Sequence, residues 1–250
     1  MRQCGRVLAI AMMLLVMGCS SSGSKPSNPQ NAADLNAQLG LAYMEQGDYE
    51  QAMKKLQHAL ELDSQSTNAH HYIAELYQTL GENREAEEHY RKALSLTPAD
   101  PMVLNNYGVF LCRQRRLGEA QEHFLAAAKQ PFYRTPEVAY SNAGSCALEV
   151  PDMAKAEEYF RTALRLNPGM PDALYEMADL KFKQKEYLQA RAFLQRYMDG
   201  APATAQSLWL GVRLERHLGD ETTAAKYAKQ LQEKFPSSQE TALLRGQKTP

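Results

Sequence analysis

Leu39-Gly40-Leu41-Ala42-Tyr43-Met44-Glu45-Gln46-Gly47-Asp48-Tyr49-Glu50-Gln51-Ala52 decides the fold, because its features recur along the chain. An alanine followed four residues later by a larger residue is the steadiest marker. Ala52 precedes Leu56, Ala86 precedes Tyr90, Ala120 precedes Phe124, Ala156 precedes Phe160, Ala190 precedes Leu194 and Ala224 precedes Ala228. Successive marker alanines are 34, 34, 36, 34 and 34 residues apart. Small residues Ala59, Ala93, Ala127 and Ala163 follow their markers at a fixed distance, and Pro98, Pro168, Pro202 and Pro236 close units. Alanine, leucine, glutamine and glutamate are abundant and β-branched residues sparse, which favours helix.

Each residue type has a physical reason. Two helices that cross closely need Gly or Ala at the crossing, and large residues such as Tyr43, Tyr90 and Phe124 fill the space between units. The turn between helices needs a residue tolerant of positive φ, and Gly47, Gly81 and Gly219 sit there. Proline restarts the chain after a second helix because it cannot continue one. No unit buries its apolar face alone, so the units must stack.

The period and the Leu39-Gly40-x-x-Tyr43 segment, echoed by Tyr107-Gly108 with Leu111, resemble the tetratricopeptide repeat, a helix–turn–helix unit. The resemblance implies an all-α, right-handed superhelical solenoid of six repeats over 33–66, 67–100, 101–134, 137–170, 171–204 and 205–238. The two extra residues around Gln130 to Pro136 predict a longer loop and a local change of pitch between repeats three and four. Gly211-Val212 in place of Leu-Gly, with Ala228 in place of the aromatic, predicts a degenerate sixth repeat. Residues 239–250 read as a short helix stub or frayed tail.

Before the repeats, Arg2 and Arg6 precede an apolar run, Val7 to Met17, too short to span a bilayer but suited to a secretory signal. Val16-Met17-Gly18-Cys19-Ser20 then resembles the lipobox of bacterial lipoproteins. That resemblance implies a signal peptide over 1–18 and three acyl chains, palmitate among them, on Cys19 as the first mature residue. Each buried CH₂ adds ~0.8 kcal/mol of membrane affinity, so such chains anchor a protein without a spanning helix. Ser20 and Ser21 stand where retention in the inner membrane often has Asp or Lys, which favours the periplasmic face of the outer membrane. Residues 19–32, rich in Ser, Gly, Pro and Asn, read as a flexible tether reaching roughly 20 Å.

Charge is balanced, 28 basic against 29 acidic side chains, which gives no nucleic-acid footprint. No G-x-S-x-G, H-E-x-x-H, Walker or G-x-G-x-x-G motif occurs, and neither an enzyme, a cofactor, a metal nor a small-molecule substrate is expected. His70 and His71 are adjacent, hence on different helix faces, and His70 reads as a packed, hydrogen-bonded imidazole. Glu87-Glu88 and Glu157-Glu158 read as a solvated outer face. Cys112 and Cys146 fall on the first helices of adjacent repeats; they are either two buried thiols or a disulfide, and an oxidising periplasm favours the bridge.

By analogy with the repeat family, first helices line a concave groove. Its expected partner-binding residues are Leu41, Met44, Asn68, His71, Met102, Asn105, Asn106 and Val109, with Tyr175, Phe182 and Trp209 as a second face. The lysine–asparagine carboxylate clamp of some relatives is absent, its positions holding Ala37 and Leu41. The mixed lining suits an amphipathic helix or an extended segment. Leader, tether and array together resemble the type IV pilus biogenesis lipoprotein family, which includes the secretin pilotins. The phrases starting at Leu39 and at Leu104 (Leu-Asn-Asn-Tyr-Gly-Val-Phe-Leu-Cys) carry that resemblance. It implies a non-catalytic adaptor that binds the pilus secretin subunit, brings it to the outer membrane and favours its multimerisation, for pilus assembly and twitching motility. A lipoprotein regulating a cell-wall synthase or hydrolase fits the same residues and differs only in partner.

Overall fold

The computed structural model describes residues 28–150 and 152–246, and among them all regular structure is helical. Six hairpins follow one another: α1 (Pro29–Glu45) with α2 (Tyr49–Leu62), α3 (Thr67–Leu80) with α4 (Asn83–Leu96), and α5 (Pro101–Arg113) with α6 (Leu117–Ala128). The chain continues with α7 (Pro136–Leu148) and α8 (Met153–Leu166), α9 (Pro171–Lys183) and α10 (Tyr187–Gly200), and α11 (Ala205–Leu218) and α12 (Glu221–Lys234). A lone helix, α13 (Gln239–Gly246), ends the array. Each first helix touches the next first helix, from α1 through to α13, whereas among the described residues no second helix comes comparably close to another. The layer of first helices is therefore the crowded inner side of a tetratricopeptide solenoid.

One turn is used repeatedly. Gly47, Gly81, Arg115, Lys185 and Gly219, all fifteenth in their repeats, have φ of 77°, 82°, 64°, 63° and 77°. The next residue's amide then bonds back to the fifth carbonyl before it: Asp48 to Tyr43, Glu82 to Tyr77, Arg116 to Leu111, Glu186 to Lys181 and Asp220 to Glu215. This satisfies carbonyls that a helix end leaves orphaned. Two of the five are not glycine, so the period, not the residue, marks this turn. Helix starts are capped by side chains of Asp48, Ser66, Asp100, Asp152, Thr204 and Asp220.

Within a hairpin, glycine meets a ring or a leucine. A Cβ on Gly108 would lie 2.7 Å from the Phe124 ring, and one on Gly144 would lie 2.6 Å from Phe160. Gly40 faces Leu56 in the same way. The sixth repeat keeps this contact, which corrects the expectation of a degenerate unit. Gly211 and Tyr227 both stand one residue earlier than their counterparts, and a Cβ on Gly211 would lie 2.8 Å from the Tyr227 ring. Equal shifts on the two helices preserve the crossing, a compensation invisible when each position is read alone.

Two further expectations change, and one is met. Helix α1 begins at Pro29, inside the stretch read as tether. Asn28 caps it by accepting from the Asn31 amide at 3.2 Å, and Pro29 brings a helix-ready φ. The two extra residues do lengthen the connection, 129–135, as expected, and Tyr133 within it is buried against Leu104, Ala127 and Ala139. Glu87 and Glu157 are not a solvated face. Glu87 accepts from Arg116 at 2.6 Å and from Tyr107 at 3.1 Å, tying repeat two to repeat three. Glu157 pairs with Lys181 at 2.8 Å, whose side chain is only 4% exposed. Burial would raise the Glu157 carboxyl, but hydrogen bonds from Lys181, Arg161 and Gln184 outweigh it and hold it at about 2. The same site in the next repeat has reversed polarity, Arg191 with Glu215.

Candidate partner-binding surfaces

The first repeat carries an apolar face that every later repeat covers. Leu35 and Leu39 are third and seventh in their repeat, and are 57% and 39% exposed. The equivalent third residues Ala69, Val103, Ala139, Ala173 and Ser207 are all buried, as are Ile73, Tyr107, Ala143 and Met177 at the seventh. Those residues pack against the hairpin before them; among the described residues no hairpin precedes α1. The opposite end is closed. Helix α13 supplies a third-position residue, Thr241, fully buried and bonded to the Phe235 carbonyl at 2.7 Å, and Leu244 is buried beside Leu231. Leu35 was not singled out in the sequence and Leu39 only as part of the repeat motif, although an apolar residue at a stacking position of the first unit was the available signal.

On the concave side, Leu41 and Met44 are half-buried, and Met44 packs on the cluster holding Ile73 and Leu76. Met102 is exposed and Val109 half-buried. The polar candidates form a network joining neighbouring first helices. Asn68 donates to Asp34 at 3.2 Å, Asn105 donates to Asn106 at 3.0 Å, and Asn142 donates to Asn105 at 3.0 Å. Asn106 Nδ2 also lies 3.1 Å from His71 Nε2 and donates to Glu75. His71 and Asn105 are buried, so they brace the groove wall instead of facing a partner. Burial pulls the His71 imidazole down to about 4. Burial pushes the Glu75 carboxyl up to about 7, against the Asn106 bond.

Cys112 and Cys146 form a disulfide with Cα atoms 5.9 Å apart, joining α5 to α7 beside Asn142. His70 is packed between α3 and α4, with Nδ1 3.0 Å from His89 Nδ1 and Nε2 3.3 Å from the Ser64 carbonyl. Among the described residues no group of three or more His, Cys, Asp and Glu is placed to hold a metal, and no helix is long and apolar enough to cross a membrane. The lipobox, Cys19 and most of the tether lie outside the described residues.

Tetratricopeptide-repeat models match residues 40–81, 67–100, 89–122, 147–209 and 206–238. Fold and surfaces thus define a tetratricopeptide-repeat scaffold, a class that mediates protein–protein interactions. The chain is 39% identical over 241 residues to the type IV pilus assembly protein PilF of Pseudomonas aeruginosa, spanning 93% of this chain and 95% of that one. A solved structure of that pilF product superposes with a TM-score of 0.79 at 40% identity, covering 88% of this chain and 99% of the other. PilW, described as a widely conserved type IV pilus biogenesis factor, superposes with a TM-score of 0.77 at 34% identity over 85% and 97% of the two chains. The chain belongs to this family of tetratricopeptide-repeat type IV pilus assembly proteins, which supports a role in pilus assembly.

Proposed function

We propose that this protein is a pilotin: an outer-membrane lipoprotein that binds the type IV pilus secretin subunit in the periplasm and promotes its localisation and multimerisation. The uncovered stacking face of α1 carries this reading. Leu35 and Leu39 form the surface on which a preceding repeat would sit, and an amphipathic segment of the secretin subunit takes that place. Residues 20–27, Ser-Ser-Ser-Gly-Ser-Lys-Pro-Ser, have no apolar side chain with which to cover it. The cargo extends from this end onto the groove flanked by Leu41, Met44, Met102 and Val109, with Asn68 and Asn106 at its polar edge. Because α1 is also the helix nearest the tether, cargo held there stays close to the membrane.

Acyl chains on Cys19 supply the address. Cys19→Ser is expected to leave a folded protein that is recovered in the soluble periplasmic fraction, with secretin multimers depleted from the outer membrane. Recovery of the variant in outer membranes after salt and urea washes would overturn the lipid anchor. Undiminished secretin multimers in a strain lacking the protein altogether would overturn the pilotin role.

A further inference from the structure

The strongest unabsorbed feature lies at the other end of the concave face. Arg213, on α11, stands over two rings: its Cζ lies 4.8 Å from the centroid of Phe182 on α9 and 5.7 Å from that of Trp209. Aromatic faces hold a guanidinium in place without using its N–H donors. Among the described residues those donors make no hydrogen bond, only a long ion pair. Nε is sealed from solvent with no hydrogen-bond partner, and Nη2 stops 3.7 Å from Asp179 Oδ1, beyond hydrogen-bond length. Asp179 holds Lys183 through Oδ2 at 2.6 Å and reaches Arg213 through Oδ1 only as this longer ion pair. The Arg213 side chain is 34% exposed, so its outer edge remains open to the groove. Tyr175, half-buried one turn before Asp179, lies within electrostatic reach of Arg213.

A buried donor without an acceptor calls for a missing partner. A guanidinium offers parallel N–H donors in a planar fork, which matches the two oxygens of a carboxylate. The geometry points to Arg213 as the receptor for a carboxylate on an extended peptide segment, with Lys183 as second cation and Tyr175, Phe182 and Trp209 as the apolar wall for the neighbouring side chain. This is a second site, in repeats five and six. It does not depend on what docks at the α1 end, and a pilotin that failed here would still be a pilotin.

Trp209 is the single tryptophan of the chain and reports directly on Arg213. The probes are N-acetyl-Leu-Phe with a free carboxylate, the same dipeptide as its C-terminal amide, and N-acetyl-Asp-Phe-amide, which carries the carboxylate on a side chain. Each is titrated into the full chain while Trp209 fluorescence is read. At least one carboxylate probe should bind tenfold or more tightly than the neutral amide, and which one does so tells a chain terminus from an acidic side chain. Arg213→Met should abolish that preference, and Arg213→Lys, which keeps the charge and loses the fork, should reduce it severalfold with the fold intact by circular dichroism. Equal response to carboxylate and amide in the unaltered protein would overturn the site. So would a response to inorganic phosphate or to phosphatidylglycerol vesicles that matches the peptide, since that marks a general anion or lipid contact.

Discussion

At the scale of single residues, glycine acts in two unrelated ways, and mutation should separate them. Gly144 is a steric requirement: an added methyl would meet the Phe160 ring at 2.6 Å, and a ring cannot deflect as a chain end can. Gly144→Ala should cost about 2 kcal/mol or more in urea unfolding, in the range of core overpacking. Gly81 is a backbone requirement: its φ is 82° and no heavy atom lies within 4 Å of an added Cβ. Gly81→Ala should cost about 1 kcal/mol, from the left-handed conformation alone. Equal losses at both sites would contradict the distinction. Glu75 gives a pH signature. Its carboxyl is raised from an ordinary 4.5 to about 7 by burial, so the folded state favours the neutral form. The penalty for ionising it is absent below pH 4.5, grows to pH 7 and is constant above. His71, lowered to about 4, runs the other way and loses stability as pH falls below 6.5. Glu75→Gln keeps the acceptor for Asn106 and removes the titration. It should stabilise by about 2 kcal/mol at pH 8 and be neutral at pH 4, as thermal unfolding across that range would reveal. A constant difference at all pH values would refute the assignment.

At the scale of helices, charge pairs of opposite polarity join successive hairpins at the same repeat positions. Lys181 on α9 reaches back to Glu157 on α8, and Glu215 on α11 reaches back to Arg191 on α10. Lys181→Met should cost about 1 kcal/mol, because it removes one charged hydrogen bond from a half-buried carboxylate that Arg161 still pairs. Adding Glu157→Leu should recover most of that loss, a coupling readable by a double-mutant cycle. Strict additivity would mean that the pair does not interact. The repeat period made helices, turns and crossing residues legible in the sequence, since local packing demands the same residue type at each return. These ion pairs were not legible. Glu87 and Glu157 look like surface residues on their own helix, and only the neighbouring hairpin buries them. For the same reason the groove network was half legible: Asn68, Asn105 and Asn106 stood out, but the depth of His71 and Asn105 depends on neighbouring helices.

At the scale of the whole molecule, the two ends of the solenoid differ. Among the described residues helix α13 closes one end, while Leu35 and Leu39 stand exposed at the other, and a stack with one unsatisfied end has a built-in direction for adding a partner helix. The disulfide between Cys112 and Cys146 fixes the middle, where two extra residues in the connection 129–135 interrupt the period. The most direct test of the secretin reading is crosslinking in intact cells followed by capture of the tagged, full-length chain from detergent-solubilised membranes. The secretin subunit should be the main crosslinked species, and Leu35→Glu with Leu39→Glu should cut its yield tenfold or more while the helical circular dichroism is unchanged. Capture without secretin, or undiminished secretin on the doubly substituted chain, would contradict docking at the open end of α1.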